Sequence, residues 1–260
     1  ELPCVLVNVV RGGPGLGTIQ PSQADYFQST KGGGHGDYRL IVLAPSTVQE
    51  AYDLIFKARD LAMKYRNPAM IQTDGANGQM MEKVYMDPEE ERISDEEVKT
   101  LRPWSTFGRT ADRERNIITS LALKSEEMEA HNIHLQKKYK VIEENEVIFE
   151  EIKTEDAEYI IIAYGTSSRI AQKVVEIARE KGIKLGLLRP ITLWPFPKKR
   201  IAELANQAKA MMTLELSAGQ MVEDVRLAVN GKIPVEHYGR FGGMMPSPTE
   251  VLEQLENYFL

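Results

Sequence analysis

An arginine followed by a glycine-rich stretch offers the clearest chemistry in this sequence. Arg11 comes directly after the apolar run 4–10, and four of the next six residues are glycines. Glycines let the backbone approach a ligand closely, free N–H groups can surround an anion, and a guanidinium can fork onto a carboxylate or a phosphate. The pattern therefore indicates a loop that can bind an anion. An arginine paired with a neighbouring aspartate at a turn explains the residue types at least as well.

This loop fits neither of the common nucleotide-binding fingerprints. No Gly-Lys-Ser/Thr sequence follows, which argues against a Walker A loop. The glycine spacing is also wrong for a dinucleotide fingerprint, and Pro14 removes a backbone donor. The residues alone therefore leave the bound anion open.

Three other places carry weaker signals. His35 stands among glycines, where a lone histidine is more often a surface residue than a catalyst. Asp74 could cap a turn or bind a cation, and without a second carboxylate nearby the turn is favoured. The stretch 165–168 could bind an anion at a helix start, but we favour an ordinary strand-to-helix turn. The sequence shows no recognisable Ser/His/Asp triad, carboxylate pair or metal-ligand cluster.

The composition is that of a globular protein with an acidic middle segment. Of the 260 residues 42% are hydrophobic and 27% are charged, and no apolar run is long enough for a membrane span, so no membrane partner is expected. The net charge of −6 argues against a nucleic-acid partner. Residues 87–156 hold 19 Asp and Glu against 11 Lys and Arg, which is typical of a solvated face or arm.

The single cysteine limits the redox and metal chemistry. Cys4 alone excludes a disulfide framework and a cysteine-ligated zinc or iron–sulfur site within this chain, and it fits a reducing cytoplasm. Its place in an apolar run predicts a packed thiol. Met80, Met81 and Met86 are predicted to fill gaps or to lie at an interface.

Hydrophobic periodicity predicts alternating strands and helices in the first and last thirds of the chain. Strands are predicted at 4–10, 40–43, 69–73, 159–164, 184–188, 210–214 and 233–237, and helices at 22–30, 48–65, 125–139, 170–181, 201–208, 221–229 and 251–260. Such alternation indicates an α/β protein with two parallel-sheet domains and helices on both faces. Ligands bind at the carboxyl ends of such strands, where the loops 11–17, 74–78 and 165–168 lie.

The predicted domains are 1–86, an acidic inter-domain arm over 87–156, and 157–260. The arm interpretation follows from the lost alternation and from the unusual length of the segment for a loop within a domain. Because the chain opens on Glu1 and almost at once on a core-like strand, we expect a natural N-terminal part to be missing.

Several motifs together resemble the alpha subunit of 2-oxoacid:ferredoxin oxidoreductases. They are Val7 to Gly17, Gln23-Ala24-Asp25-Tyr26-Phe27-Gln28, Gly34-His35-Gly36-Asp37, Asp74-Gly75 with Gly78 to Glu82, Leu188 to Pro197, and Glu215 to Met221. The resemblance covers essentially the whole chain. It implies a thiamine-enzyme pyrimidine-type domain, N-terminally truncated, followed by a transketolase C-terminal-like domain.

The resemblance also implies a reaction with cofactors and partners. Members decarboxylate a 2-oxoacid with thiamine diphosphate, deliver the acyl group to coenzyme A and pass electrons through iron–sulfur clusters to ferredoxin. Thiamine diphosphate and Mg are expected at the interface with a beta subunit, and the clusters on partner subunits including an iron–sulfur subunit. The implied assembly is a cytoplasmic hetero-oligomer with a dimeric core, and this chain alone is expected to be inactive.

The same resemblance assigns substrate contacts. Arg11 is expected to meet the substrate carboxylate, with Gly12, Gly13, Gln20 and His35 nearby. No catalytic or metal-binding residue is expected in the chain, and cofactor contacts are left unassigned.

The loop also carries a prediction about the substrate. Many relatives continue it as Ser-Thr-Gly-Leu-Pro-Thr, whereas residues 15–20 here have largely lost the hydroxyl groups. This favours a less polar pocket and a branched-chain 2-oxoacid of the 2-oxoisovalerate type. Three alternatives stay open: a 2-oxoglutarate- or pyruvate-type member, another thiamine-dependent enzyme, and a non-catalytic α/β assembly subunit.

Overall fold

The computed structural model describes residues 1–86, 94–109 and 111–260, and it contains two mainly parallel sheets. The strands are β1 Val5–Val10, β2 Ile41–Leu43, β3 Ala69–Asp74, β4 Phe149–Ile152, β5 Tyr159–Ile162, β6 Leu185–Pro190, β7 Thr192–Trp194, β8 Ala210–Glu215 and β9 Val235–Gly239. The helices are α1 Tyr26–Lys31, α2 Val48–Tyr65, α3 Gly75–Gln79, α4 Asp95–Leu101, α5 Ser125–Asn145, α6 Gly165–Glu180, α7 Lys198–Leu204, α8 Met221–Val229 and α9 Pro248–Phe259.

The first sheet has the order β1-β3-β2-β7. Strands β1, β3 and β2 are parallel, so the residues that follow β1 and β3 emerge at the same edge. Helix α2 covers this sheet, as its apolar stripe predicts, and its first turn is capped by the Thr47 side chain, which accepts a hydrogen bond from Glu50 N. Strand β7 is antiparallel to β2 and is supplied by the last third of the chain, which the sequence pattern did not predict.

The second sheet has the order β4-β6-β5-β8-β9. Strands β6, β5, β8 and β9 are parallel, as predicted, and β4 is antiparallel to β6. Strand β4 lies within the segment that the sequence assigns to the acidic arm, and helix α5 of the same segment extends to Asn145. Residues 87–93, which include the acidic run Glu89 to Glu91, lie outside the described residues.

The interpretation of the first strand as a buried one is wrong. Strand β1 pairs along one edge with β3, and its side chains Leu6, Val7 and Val9 are 41%, 57% and 52% exposed. Cys4 is exposed as well and precedes the strand, so it is not a packed thiol. An apolar run does not by itself show how many elements cover it, and within the described chain β1 is an edge strand.

One continuous cluster of buried side chains joins the two sheets. It includes Ile41 and Leu43 from the first sheet, Ile160 and Met211 from the second, and Trp194 on β7. Because the core continues from one sheet to the other, the two sheets pack against each other through shared buried side chains. Among the described helices none is both long and apolar enough to cross a lipid bilayer.

Candidate functional site

The glycine-rich stretch forms a closed loop at the end of β1. Arg11 forms an isolated antiparallel bridge with Pro21, and Gly12 N donates to Gln20 O at 2.9 Å. Within the loop, Thr18 N donates to Gly12 O at 2.7 Å and Gln20 N to the Thr18 side-chain oxygen at 3.2 Å. Four of the predicted substrate contacts therefore share one loop: Arg11, Gly12, Gly13 and Gln20.

Gly17 is a position of this loop that cannot accommodate a side chain. Its φ is +55°, and a Cβ atom there would lie 1.8 Å from the Gly12 carbonyl oxygen. Any side chain would thus break the contact between Thr18 and Gly12, because a left-handed backbone and the close approach occur at the same position.

A turn from the second sheet rests on the loop. Residues 241–244 form a turn in which Met244 N donates to Phe241 O at 3.4 Å. A Cβ atom on Gly12 would lie 2.7 Å from Gly242 C and Gly243 N. The loop after β1 and the loop between β9 and α9 therefore form one surface, and its two parts come from different sheets.

Arg11 presents its guanidinium to solvent. The residue is exposed, and in the described ranges no carboxylate forms an ion pair or hydrogen bond with it. The alternative of an arginine paired with a neighbouring aspartate is therefore not what the structure shows. Two apolar side chains of the same loop, Leu16 and Ile19, are 84% and 70% exposed. A cation and exposed apolar groups on one loop suit a small carboxylic acid that carries an alkyl group.

Asp74 acts as a helix cap. Its Oδ1 accepts hydrogen bonds from Ala76 N at 2.9 Å and Asn77 N at 3.2 Å, so the loop predicted at 74–78 is the short helix α3. The stretch 165–168 is likewise not a separate turn but the first turn of α6. A Cβ atom on Gly165 would lie 4.0 Å from Asp74 Oδ2, so one carboxylate lies beside the starts of both helices. The described residues contain no cluster of His, Cys, Asp or Glu that could hold a metal ion.

His35 belongs to a different loop. It is exposed, has a φ of +46° and lies on the stretch that enters β2 from its amino end. That stretch is held by Gln136 on α5, which donates to Asp37 O at 3.1 Å, and by Asn67, which donates to Arg39 O at 3.0 Å. Because Arg11 follows the carboxyl end of β1, which is parallel to β2 within the sheet, the two residues do not share a loop or a sheet edge.

Gln23 anchors the exit of the Arg11 loop. It is 2% exposed; its side chain donates to Tyr164 O at 2.8 Å and accepts from Leu216 N at 2.8 Å. Its position two residues after Pro21 fixes the loop to two strand ends of the second sheet. Sequence reasoning assigned Gln23 no role beyond its place in a family-like motif, since its partners lie 141 and 193 residues away.

A buried tyrosine makes a second bond between the two sheets. Tyr26 on α1 donates to Asp224 Oδ2 on α8 at 2.7 Å, and Lys31 also contacts Asp224. Burial raises the pKa of the Tyr26 hydroxyl far above its ordinary value, and the negative charge of Asp224 raises it further. The phenol therefore stays protonated and acts as a hydrogen-bond donor.

Comparison with known proteins identifies the family. Residues 1–153 match the thiamine-diphosphate-binding domain of pyruvate flavodoxin/ferredoxin oxidoreductases, and residues 157–251 match core domain II of pyruvate:ferredoxin oxidoreductase. The chain belongs to the 2-oxoacid:ferredoxin oxidoreductase family. The resemblance seen in the sequence motifs is thereby confirmed.

Curated members of the family support the same placement over nearly the whole chain. Ketoisovalerate oxidoreductase subunit VorB of Methanothermobacter thermautotrophicus is 49% identical over 98% of this chain and 70% of its own length. The 2-oxoglutarate synthase subunit KorA of Methanothermobacter marburgensis is 31% identical over 98% of this chain and 73% of its own length.

A solved member shares the fold. The 2-oxoglutarate:ferredoxin oxidoreductase of Magnetococcus marinus is 19% identical with a TM-score of 0.77, and the match covers 98% of this chain and 48% of that chain. The predicted fold class, α/β with two mainly parallel sheets, is confirmed. This chain spans less than half of that solved chain and about 70% of the VorB subunit.

Proposed function

We propose that this chain is part of the alpha subunit of a thiamine diphosphate-dependent oxidoreductase that acts on branched-chain 2-oxoacids. The reaction would decarboxylate the acid oxidatively, transfer the acyl group to coenzyme A and pass the electrons to ferredoxin. The supporting observation is that Arg11 is exposed and has no ion-pair partner among the described residues, on the same loop as the exposed apolar side chains Leu16 and Ile19. The similarity to ketoisovalerate oxidoreductase subunits supports the same substrate class.

In this proposal Arg11 binds the substrate by its carboxylate. The guanidinium forks onto the two carboxylate oxygens, which fixes the orientation of the adjacent 2-oxo group. The exposed backbone of Gly13 allows close approach, whereas Gly12 is buried beneath the 241–244 turn and supports the loop through its bond to Gln20 O. The alkyl group then lies against the apolar side chains of the same loop, which gain contacts by excluding water.

The cofactors are assigned on the chemistry that each needs. When bound, thiamine diphosphate supplies the nucleophilic carbon and accepts the electrons released with carbon dioxide. We place it and Mg at an interface with a beta subunit that holds the diphosphate, and the iron–sulfur clusters on partner subunits. The exposed loop at the carboxyl edge of the first sheet is open to such a partner. The implied assembly is a cytoplasmic hetero-oligomer with a dimeric core.

Two assignments carried over from the sequence stay predictions. His35 was expected near the substrate, but its loop is separate from the Arg11 loop, so its contact would need another chain or a movement. The domain boundaries at residues 86/87 and 156/157 also stay predictions.

Replacing Arg11 tests this function. In the complete subunit, assembled with its partner subunits, we expect Arg11→Ala to raise KM for 2-oxoisovalerate about 100-fold or more, because a charge-assisted bidentate contact is lost. Arg11→Lys keeps the charge but not the fork and should give an intermediate KM. The measurement is viologen reduction with thiamine diphosphate, Mg and coenzyme A, and assembly is followed by size-exclusion chromatography.

Control and contrary outcomes separate the alternatives. Arg59→Ala, on the exposed side of α2 in a surface pair with Asp60, should leave KM unchanged. An assembled wild-type complex that reduces viologen only with 2-oxoglutarate would keep the family and overturn the branched substrate. If Arg11→Ala changed neither turnover nor KM, a non-catalytic assembly role would replace the proposal.

A further inference from the structure

The turn at residues 241–244 is an unusual feature of the candidate site, because it belongs to the second sheet but lies on the substrate loop. A Cβ atom on Gly243 would lie 2.5 Å from Gln20 Cβ and 2.7 Å from the Thr18 side-chain oxygen. Together with the contact of Gly12 with Gly242, this fixes the turn against three positions of the Arg11 loop. The residues on either side of the two glycines therefore lie next to that loop.

Both flanking residues are large, apolar and unburied. Phe241 is 66% exposed and Met244 is 54% exposed. Leu16 and Ile19 of the Arg11 loop are more exposed still, so exposed apolar groups lie both on the turn and on the loop that carries the exposed Arg11. Apolar side chains that are held on rigid neighbouring loops and left open to solvent are typical of a binding surface.

The occupant is indicated by the charge next to these side chains. Arg11 is exposed and has no anionic partner in the part of the chain that the structure describes. A ligand that pairs with the cation and also covers the apolar groups carries a carboxylate and a short alkyl group close together, such as on the two sides of one carbonyl carbon. A branched 2-oxoacid has this composition.

We propose that Phe241 and Met244 form a second wall of the pocket for the substrate's alkyl group and determine the preference for branched over short 2-oxoacids. This inference rests on the proposed function, and it extends the substrate site from the first sheet to a loop of the second sheet. The close packing of Gly242 and Gly243 on the Arg11 loop makes this wall possible. Any side chain at Gly243 would push the turn away from Gln20.

The test compares two acids that differ only in alkyl size. In the complete subunit assembled with its partners, the ratio of kcat/KM for 2-oxoisovalerate to kcat/KM for pyruvate is measured by viologen reduction. Removing an apolar wall should lower this ratio about 10-fold or more in Phe241→Ala and in Met244→Ala, because only the branched acid reaches that wall. Phe241→Leu should restore part of the preference.

A matched control removes a similarly exposed apolar side chain elsewhere. Leu227 on α8 is 73% exposed, and Leu227→Ala should leave the ratio unchanged. If Phe241→Ala and Met244→Ala slow both acids equally, the wall is not part of the alkyl pocket and the inference is wrong. If these variants lose their partner subunits on size-exclusion chromatography, a partner chain covers the residues and the inference is equally wrong.

The wild-type assay keeps this inference separate from the proposed function. A wild-type complex with no 2-oxoacid-dependent viologen reduction would overturn the proposed function itself. An active wild type with an unchanged ratio in both variants overturns only the role of the turn.

Discussion

At the scale of single residues, the candidate site depends on backbone conformation as much as on charge. Gly15 and Gly17 both have positive φ values, +64° and +55°. A Cβ atom on Gly15 would meet no atom within 4 Å, whereas on Gly17 it would collide with the Gly12 carbonyl. Comparing alanine substitutions at these two glycines therefore separates the effect of backbone strain from that of steric collision.

Gly17→Ala should damage substrate binding much more than Gly15→Ala. Both substitutions cost about 1 kcal/mol for the left-handed backbone, but only Gly17→Ala breaks the Thr18–Gly12 hydrogen bond and opens the loop. In the assembled enzyme we expect kcat/KM for the 2-oxoacid to fall at least about 10-fold for Gly17→Ala and less than about 3-fold for Gly15→Ala. Equal losses in the two variants would show that strain alone matters at this loop.

At the scale of elements, buried carboxylates accept hydrogen bonds from the first backbone N–H groups of helices α3 and α8. The carboxylate of Glu215, whose side chain is fully buried, accepts hydrogen bonds from Gln220 N, Met221 N and Val222 N, at 3.0, 2.9 and 3.0 Å. The side chain of Ser217 donates to the same carboxylate at 3.1 Å. This carboxylate replaces the missing cap of α8, and its charge interacts favourably with the positive helix start. Helix α8 in turn holds Asp224 against Tyr26.

Glu215→Gln should destabilise α8 although it preserves the size of the side chain. The NH2 group of the glutamine amide would face backbone N–H groups, which are also donors, so a buried N–H would lose its acceptor. The expected cost is about 2–4 kcal/mol in the free energy of unfolding. Urea denaturation measures the loss, and faster amide hydrogen exchange should be concentrated in α8.

The exposed Glu223 in the first turn of the same helix provides the control. Glu223→Gln should cost about 0.5 kcal/mol or less, because a solvated charge near a helix start contributes little. A loss in Glu215→Gln no larger than this would contradict the capping role.

At the scale of the whole molecule, buried polar contacts and a shared strand hold the two sheets together. Arg189 on β6 is 5% exposed, and its guanidinium donates to Glu50 on α2 at 2.6 and 2.8 Å and to the Ser46 side chain at 2.7 Å. It also donates to Glu150 on β4 at 2.8 Å. The Arg189 side chain thus connects β6 and β4 of the second sheet with α2, the helix that covers the first sheet.

The ion pair between Arg189 and Glu50 should make the stability depend on pH in acid. Burial by itself would raise the pKa of the Glu50 carboxyl, but the Arg189 guanidinium and the Ser46 N–H outweigh this and lower it from 4.5 to about 2. Because the pKa is lower in the folded state, the stabilisation is fully present above about pH 4.5 and is lost as the pH falls towards 2.

Glu50→Gln should therefore lower the free energy of unfolding by about 3 kcal/mol at pH 7, because it leaves Arg189 buried with only Glu150 as a charged partner. The difference from the wild type should shrink as the pH falls from 4.5 to 2, as measured by denaturant titrations across that range. Glu176→Gln, which breaks an exposed pair with Lys173, should change stability by less than about 0.5 kcal/mol. A pH-independent difference for Glu50→Gln would contradict the ion-pair explanation.

Most of the strands and helices, the parallel pairing and the family could be predicted from the sequence because they rest on local patterns. Helices α2 and α8 follow directly from apolar spacing at the helical period, with the predicted bounds. Arg11 could be singled out as a candidate site residue because a cation before a glycine run is a local signal. The motifs that carry the family resemblance are likewise short stretches of consecutive residues.

Only the tertiary structure decided what covers each element and which distant residues meet. The apolar run of β1 predicts a strand, but its exposed edge position depends on which strands lie beside it. The pairing of β7 with the first sheet, the anchoring of Gln23 to Tyr164 and Leu216, and the contact of Gly243 with Gln20 join residues about 140 or more positions apart. Such contacts arise from packing of whole elements, and local propensity contains no record of them. The sequence by itself determined most of the strands and helices and the arginine loop, whereas the packing of the two sheets determined which distant turn lies against that loop.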